Sequence, residues 1–353
     1  MVLSFIFTPI VRWITLKIGA VDEPNHRRIN KETMASAGGL AIYLAYFIST
    51  FFFLPVRNSL ILPIFISATV IVITGLIDDI REISPIIKIL GMTVAAMIIY
   101  FVADINMSMI DLPFIGEVEL GILSFPLTFI WIIGITNAVN LIDGLDGLAS
   151  GVSSISLITI GIIAYFFLNT QNLEVSIMIF SLVAAILGFL PYNYYPASIY
   201  LGDTGALFLG FMISVLSLFG LKNVTFISFI IPIVILGVPV ADTFFAIIRR
   251  RLEKKPITEA DNKHIHHRLM ALGFDHKQTV KIIYSITFTF SVISLLYPIS
   301  SALSATFLTI GLIVGLEFFA ELIGLVGEER KPLINSLKKI SKQLKRGNKD
   351  KYK

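Results

Sequence analysis

The strongest constraint on this chain is a succession of apolar runs, each about as long as a helix needs to cross the hydrocarbon core of a bilayer. They fall at 2–20, 37–56, 60–77, 86–103, 121–140, 148–168, 174–191, 204–221, 224–247, 280–297 and 300–323. In lipid a backbone must satisfy its own hydrogen bonds, and a helix does so within one segment. The runs therefore predict an all-α, polytopic integral membrane protein of about eleven transmembrane helices. With 56% hydrophobic residues, 15% charged residues and a mean hydropathy of +0.85, an ordinary soluble domain is excluded. Residues 1–323 read as one transmembrane domain and 324–353 as a basic tail. The first run lacks a basic leader and a small-x-small cleavage site, which predicts a retained span and not a signal peptide.

Charge sets the expected orientation. The loops on one side, together with the tail, collect 24 of the 28 Lys and Arg residues, whereas the opposite loops hold only Arg57 and Lys222. The positive-inside rule then puts the amino terminus outside and the tail, KKISKQLKRGNKDKYK, in the cytoplasm. The outer connections are short, apart from Asp104 to Glu119, which carries four acids and no Lys or Arg. The tail reads as a topology signal and an anchor to anionic lipid. The absence of cysteine excludes disulfides, thiolate metal sites and a cysteine nucleophile.

Polar residues that topology does not require lie in cytoplasmic connections, at about 21–36, 78–88, 137–148, 191–205 and 249–280. In GLIDDIREISPIIK, Asp78 and Asp79 end one span and Lys88 opens the next. Adjacent carboxylates repel unless a cation or a basic partner lies beside them. In NAVNLIDGLDGL, Asn137, Asn140, Asp143 and Asp146 advance by about 300° per step and fan over half a helix. Gly144 and Gly147 weaken the helix there, so several oxygens can converge on one ligand. The bland alternative is a polar turn. In LPYNYYPASIYLGDTGALFLGF, Asn193 precedes Asp203, which lies between Gly202 and Gly205 at the start of a helix, where both Asp203 and Thr204 are ordinary capping residues.

The last constellation, HIHHR, holds His264, His266, His267 and Arg268 near RRRLEKK. Zinc fits it poorly, because no thiolate and no second ligand group accompany it. A clamp for a diphosphate or sugar nucleotide fits better, with charge-assisted donors on phosphate oxygens; a surface patch is the plain alternative. Oxygen ligands suited to Mg²⁺ and a cationic half together suit chemistry between two phosphorylated substrates. One of these must be lipidic to need a membrane scaffold. No nucleic-acid partner is implied.

DDIREISPIIK, NAVNLIDGLDGLA, YNYYPASIYLGDTGALFLGF and HIHHRL, in this order, resemble the polyprenyl-phosphate N-acetylhexosamine-1-phosphate transferases. The resemblance covers nearly the whole chain. It implies transfer of a sugar 1-phosphate from a UDP-N-acetylhexosamine to undecaprenyl phosphate in a bacterial plasma membrane, with release of UMP and a site facing the cytoplasm. Mg²⁺ is the implied cofactor, with Mn²⁺ as its substitute, and a homodimer is compatible.

Carried over by position, Asp78 and Asp79 match the paired catalytic aspartates, Asp203 matches a metal-binding aspartate and Asn140 its neighbour. Lys88 matches a phosphate-neutralising lysine. Asp143 and Asp146, with Asn137 and Asn193, match nucleotide-side residues, and His264, His266, His267 and Arg268 match the loop near the diphosphate and sugar. VDEPNHRR resembles the family's opening element through Asp22, Pro24, Asn25 and Arg27 or Arg28. Beyond it the sequence departs, with Asn30 in place of a histidine and Thr33, Ala35 and Ser36 in place of P-x-P-R.

HIHHR, where the phospho-MurNAc-pentapeptide branch carries a P-I-H-H-H run, points to the UDP-GlcNAc branch that starts teichoic acid, O-antigen or similar cell-wall polymers. That pentapeptide transferase is the alternative within the family. A transporter or flippase would place charges near the middles of its spans, and here they gather at one set of ends. A CDP-alcohol phosphotransferase would need an arginine after DGLA, where Ser150 stands.

Overall fold

The computed structural model describes residues 1–22, 33–112, 116–167, 173–220, 226–256, 263–325, 327 and 331–336. Its helices follow the apolar runs: α1 (Val2–Ile18), α2 (Gly39–Phe53), α3 (Asn58–Arg81), α4 (Pro85–Phe101), α5 (Ser124–Ile142), α6 (Leu148–Phe166), α7 (Leu173–Asn193) and α8 (Gly202–Gly220). They continue as α9 (Phe226–Ile235), α10 (Gly237–Leu252), α11 (Ile265–Ala271), α12 (His276–Ser294) and α13 (Ala302–Leu322). Among the described residues seven helical segments are long and apolar enough to cross a membrane: Asn58–Arg81, Gly121–Ile142, Leu148–Phe166, Leu173–Asn193, Gly202–Phe219, His276–Ile299 and Ala302–Leu322. The chain is a multi-pass membrane protein. Helices α1, α2 and α4 are shorter; the 15 residues of α2 rise about 22 Å, less than the ~30 Å of a hydrocarbon core.

Two expectations change. The run at 224–247 is not one helix but two, α9 and α10, joined at Leu236. Gly237 weakens the helix at the joint, and Pro232 and Pro239 each lack an amide hydrogen to continue the ladder. Leu236 still donates to the Pro232 carbonyl at 2.9 Å, and Val240 to that of Leu236 at 2.9 Å. The fold is also not purely helical. Val21–Asp22 (β1) pairs antiparallel with Met34–Ala35 (β2), and Met109–Leu112 (β3) with Gly116–Glu119 (β4). Both pairs lie in connections, where the backbone has no helix to satisfy it.

The chain forms two compact units, Met1–Val240 with Val280–Ile299, and Ala241–Thr279 with Ser300–Lys353. In the first, α8 packs against α2, α3, α5 and α6. Small residues permit the closest approaches, as is usual where helices pack without a hydrophobic driving force. A Cβ on Gly75 of α3 would lie 2.6 Å from the Thr204 Cα. This crossing brings the last turn of α3 to the first turn of α8.

In the second unit, α13 exposes Leu303, Phe307, Ile310, Ile313 and Phe318, the surface expected of a helix against lipid. Glu321, near its end, accepts from the amides of Leu333 at 2.7 Å and Ile334 at 2.8 Å, which fastens the start of the tail. Residues 337–353, the rest of the basic tail, lie outside the described residues.

Candidate active site

Asp78 and Asp79 are consecutive on α3, so their side chains diverge by about 100° and meet different surroundings. Asp79 turns toward the start of α8. Its Oδ1 accepts from the Asp203 amide at 3.0 Å and the Ser36 hydroxyl at 2.9 Å; its Oδ2 accepts from the Thr204 amide at 3.0 Å and hydroxyl at 2.6 Å. The amides at a helix start have no intrahelical partner, and a carboxylate there also meets the positive end of the dipole. Gly202 makes the approach feasible: its φ is +70°, and a Cβ would lie 2.5 Å from the Ala37 nitrogen and 2.7 Å from Asp79 Oδ1.

Asp78 does the opposite. Its Oδ1 accepts from the Ile83 amide at 2.8 Å, closing the turn after α3, and its Oδ2 pairs with Lys88 Nζ at 2.6 Å. Lys88 lies in the first turn of α4, which opens with Pro85, and the same ammonium pairs with Asp203 Oδ2. Asn140, from the last turn of α5, donates its amide to Asp203 Oδ1 at 2.6 Å. Four helices thus contribute to one cluster in which a single cation joins two carboxylates. Lys88 keeps 21% and Asp203 25% of its side-chain surface open, enough for a ligand to reach both.

The DGLDG segment follows α5. Half-buried Asp143 accepts no hydrogen bond among the described residues, and its carboxyl is held well above the ordinary carboxylate range, first by desolvation and then by the charges of Asp203, Asp79 and Asp146. Asn137, also half-buried, lies one turn before Asn140. Asp146 Oδ2 accepts from the Ala197 amide at 3.0 Å. Buried Asn193 accepts from the Ser150 hydroxyl at 2.8 Å and donates to the Ile199 carbonyl at 3.1 Å. Asp146 and Asn193 therefore hold the 194–201 connection, which leads into Asp203.

The histidines belong to the second unit. His264 Nδ1 bonds Asp242 Oδ2 at 2.9 Å, and Asp242 Oδ1 accepts from the Ile265 amide at 2.9 Å. The His264 and His266 rings lie parallel within 4° at 6.1 Å, and those of His266 and His267 are 4.1 Å apart. His266 is buried with Nδ1 unpartnered among the described residues, and burial, then the neighbouring His267, His264 and His276, lower its pKa to about 3. Arg268 follows on α11.

Asp242 and Ser36 were not marked as site residues by sequence reasoning. A lone acid in the apolar stretch GVPVADTFFAII was the available signal for Asp242; Ser36 offers none, because its bond to Asp79 spans 43 residues. Asp22 lies in β1, whereas Pro24, Asn25, Arg27, Arg28 and Asn30 lie outside the described residues.

The donor set can be weighed against a divalent cation. Among the described residues no three His, Cys, Asp or Glu side chains gather into a metal cage. Two carboxylates, Asp78 and Asp203, converge on one cationic nitrogen, with the Asn140 carboxamide alongside. Mg²⁺ is commonly held by one or two carboxylates together with substrate phosphates, and these residues fit that pattern.

A profile described as glycosyl transferase family 4 matches residues 61–221, from α3 through α8. A probable undecaprenyl-phosphate N-acetylglucosaminyl 1-phosphate transferase of Bacillus subtilis is 44% identical over 341 residues, 96% of this chain and 94% of that protein. The chain belongs to glycosyl transferase family 4. More distant relatives include an undecaprenyl-phosphate alpha-N-acetylglucosaminyl 1-phosphate transferase of Salmonella typhi, 28% identical over 79% of this chain and 78% of its own length. A phospho-N-acetylmuramoyl-pentapeptide-transferase of Borrelia turicatae is 29% identical over 83% of this chain and 91% of its own length. In this family 4 member the matched range contains the whole acid cluster except Ser36, and ends before the histidine turn.

Proposed function

We propose that this transferase moves N-acetylglucosamine 1-phosphate from UDP-GlcNAc to undecaprenyl phosphate and releases UMP, as the first membrane step of a cell-surface polymer such as teichoic acid or O-antigen. The observation that carries this reading is the Lys88 ammonium held between Asp78 and Asp203, a site with both signs of charge, open to a ligand, at the ends of membrane helices. The 44% identity to the Bacillus subtilis protein supports the choice of sugar and lipid.

An oxygen of the lipid phosphate attacks the sugar-bearing phosphorus of the nucleotide sugar. One phosphoanhydride bond forms as another breaks, and UMP carries away the released electron pair. Lys88 offsets the charge of the phosphates. Asp78, beside it, positions the lipid phosphate, which is already largely ionised near neutral pH because its second pKa is about 6. Asp203, oriented by the Asn140 amide, and Asp78 would hold Mg²⁺ or Mn²⁺. When bound, the metal supplies charge stabilisation at the transferring phosphoryl group. Asp79, saturated by its four donors, keeps the start of α8 in place.

The same reading extends the seven membrane-crossing segments to eleven spans, counting the shorter α1, α2 and α4 and the α9–α10 pair. It places the amino terminus outside and the acid cluster at the cytoplasmic face of a bacterial plasma membrane, as the distribution of Lys and Arg supports.

The test offers purified protein undecaprenyl phosphate, Mg²⁺ and a panel of UDP-sugars, and measures UMP. Release with UDP-GlcNAc is expected. Release only with the pentapeptide nucleotide would transfer the protein to the other branch, and no release with any sugar would end the proposal.

A further inference from the structure

Helix α11 has only seven residues, too few to be stable alone, and the residue that precedes it at the N-cap, His264, gives it no side-chain cap. The cap comes from another helix. Asp242 of α10, 1% exposed, directs one oxygen to the Ile265 amide and the other to His264 Nδ1. A carboxylate in such surroundings needs its lone pairs satisfied, and this one is satisfied by two consecutive residues of the histidine turn. Its platform is fixed as well, because buried Arg249, two turns along α10, donates Nη1 to the Leu325 carbonyl at 2.6 Å.

We propose that Asp242 is a positioning residue for the transfer: it sets the ring orientation and tautomer of His264 and the start of α11, and thereby, through buried His266, the placement of His267 and Arg268, which keep part of their surface open to a nucleotide-sugar diphosphate. The inference rests on the function proposed above and on the reading of HIHHR as a clamp for the diphosphate of its nucleotide sugar. A carboxylate beside Nδ1 selects the tautomer with hydrogen on that nitrogen and leaves Nε2 as the acceptor. The parallel rings of His264 and His266, and the close contact of His266 with His267, pass that orientation along the turn. Partners of this kind behind a metal-ligating histidine typically alter affinity or activity by about 10- to 100-fold when removed, and the lower end of that scale is expected here, where the ring is read as part of a phosphate clamp and not as a metal ligand.

Asp242→Asn separates positioning from simple packing. The amide keeps the volume and an oxygen for the Ile265 amide, but its NH₂ group requires an acceptor at His264 Nδ1 and so reverses the tautomer. In ¹⁵N spectra of histidine-labelled protein in bilayers, the Nδ1 and Nε2 resonances of His264 should exchange character. With UDP-GlcNAc and undecaprenyl phosphate, KM for the nucleotide sugar should rise about tenfold, with a smaller change in kcat. Adding Asp242→Asn to His264→Ala should change KM by less than about twofold, because the two residues act as a unit. Should Asp242→Asn fail to insert, His264→Phe keeps a ring of similar size and should reproduce the rise in KM.

An unchanged ¹⁵N pattern, an unchanged KM, or losses that multiply in the double variant would overturn the inference. A parent protein that releases no UMP with any UDP-sugar would instead overturn the function, and the ¹⁵N comparison would then decide the Asp242–His264 coupling by itself.

Discussion

Asp79 and Asp242 invite comparison, because each is a carboxylate from one helix placed at the start of another. Asp79 accepts two amides and two hydroxyls around α8, and every one of these donors belongs to the scaffold. Asp242 divides its oxygens between an amide and a ring, so half of its effect passes to a side chain of the histidine turn. The difference shows how to read a buried acid: the identity of its donors, more than its burial, separates a fastening from a positioning group. Asp78 and Asp203 form a third kind, with oxygens shared around one partly open ammonium that a ligand can reach.

Substitutions along this series should separate rate from stability. The largest effect on rate is expected for Asp203→Asn, which removes charge from the cation-facing cluster. UMP release should fall by at least ~10²-fold, the scale of electrostatic groups at a reacting phosphoryl centre. Near-parental turnover would remove Asp203 from the chemistry. Asp79→Ala should act first on the fold, since it strands two amides and two hydroxyls and should cost about 3 kcal/mol. Thermal unfolding in detergent should show this, whereas Asp78→Ala should lower UMP release with a smaller thermal shift. Equal thermal losses in the two variants would erase the distinction between the neighbours.

The histidine turn makes a prediction with a definite sign. Folding keeps His266 neutral down to about pH 3, whereas its ordinary pKa is 6.5. The unfolded chain therefore binds more protons between these values, and stability should decline as pH falls from about 6.5 toward 3. His266→Gln, which cannot titrate, should flatten the stability–pH curve by up to about 1.4 kcal/mol per pH unit. A slope identical to the parent's would show that His266 is hydrated in the folded protein.

The helices were legible in the sequence because the lipid requirement writes itself as length and apolarity; the break at Leu236 was less so, because an apolar run does not reveal where its backbone turns. Asp78, Lys88 and Asp203 stood out as charges beside apolar segments, and the structure joins them. What the sequence could not show was the division of labour within DD: two identical, adjacent residues differ only in direction, and direction depends on Ser36 and Thr204 arriving from distant segments. Asp242 was obscured for a related reason. Its partner is 22 residues away, across a polar stretch of sequence, and nothing local marks the pair.

The smallest effect is expected at the other end of α3, where Arg57 meets Glu174 at 3.0 Å in the opposite set of connections. Geometry alone would rank this ion pair with those of the acid cluster. Exposure ranks it differently: Arg57 is 70% exposed, so water screens the attraction and ordering two long side chains offsets much of the gain. Arg57→Ala should change stability by less than about 1 kcal/mol and leave UMP release at the parental rate, with any thermal shift shrinking as salt is added. A loss comparable to that of Asp79→Ala would mean that an exposed ion pair at one end of α3 holds the fold as firmly as the hydrogen-bonded carboxylate at the other, and would break the argument that donors from buried backbone set Asp79 apart.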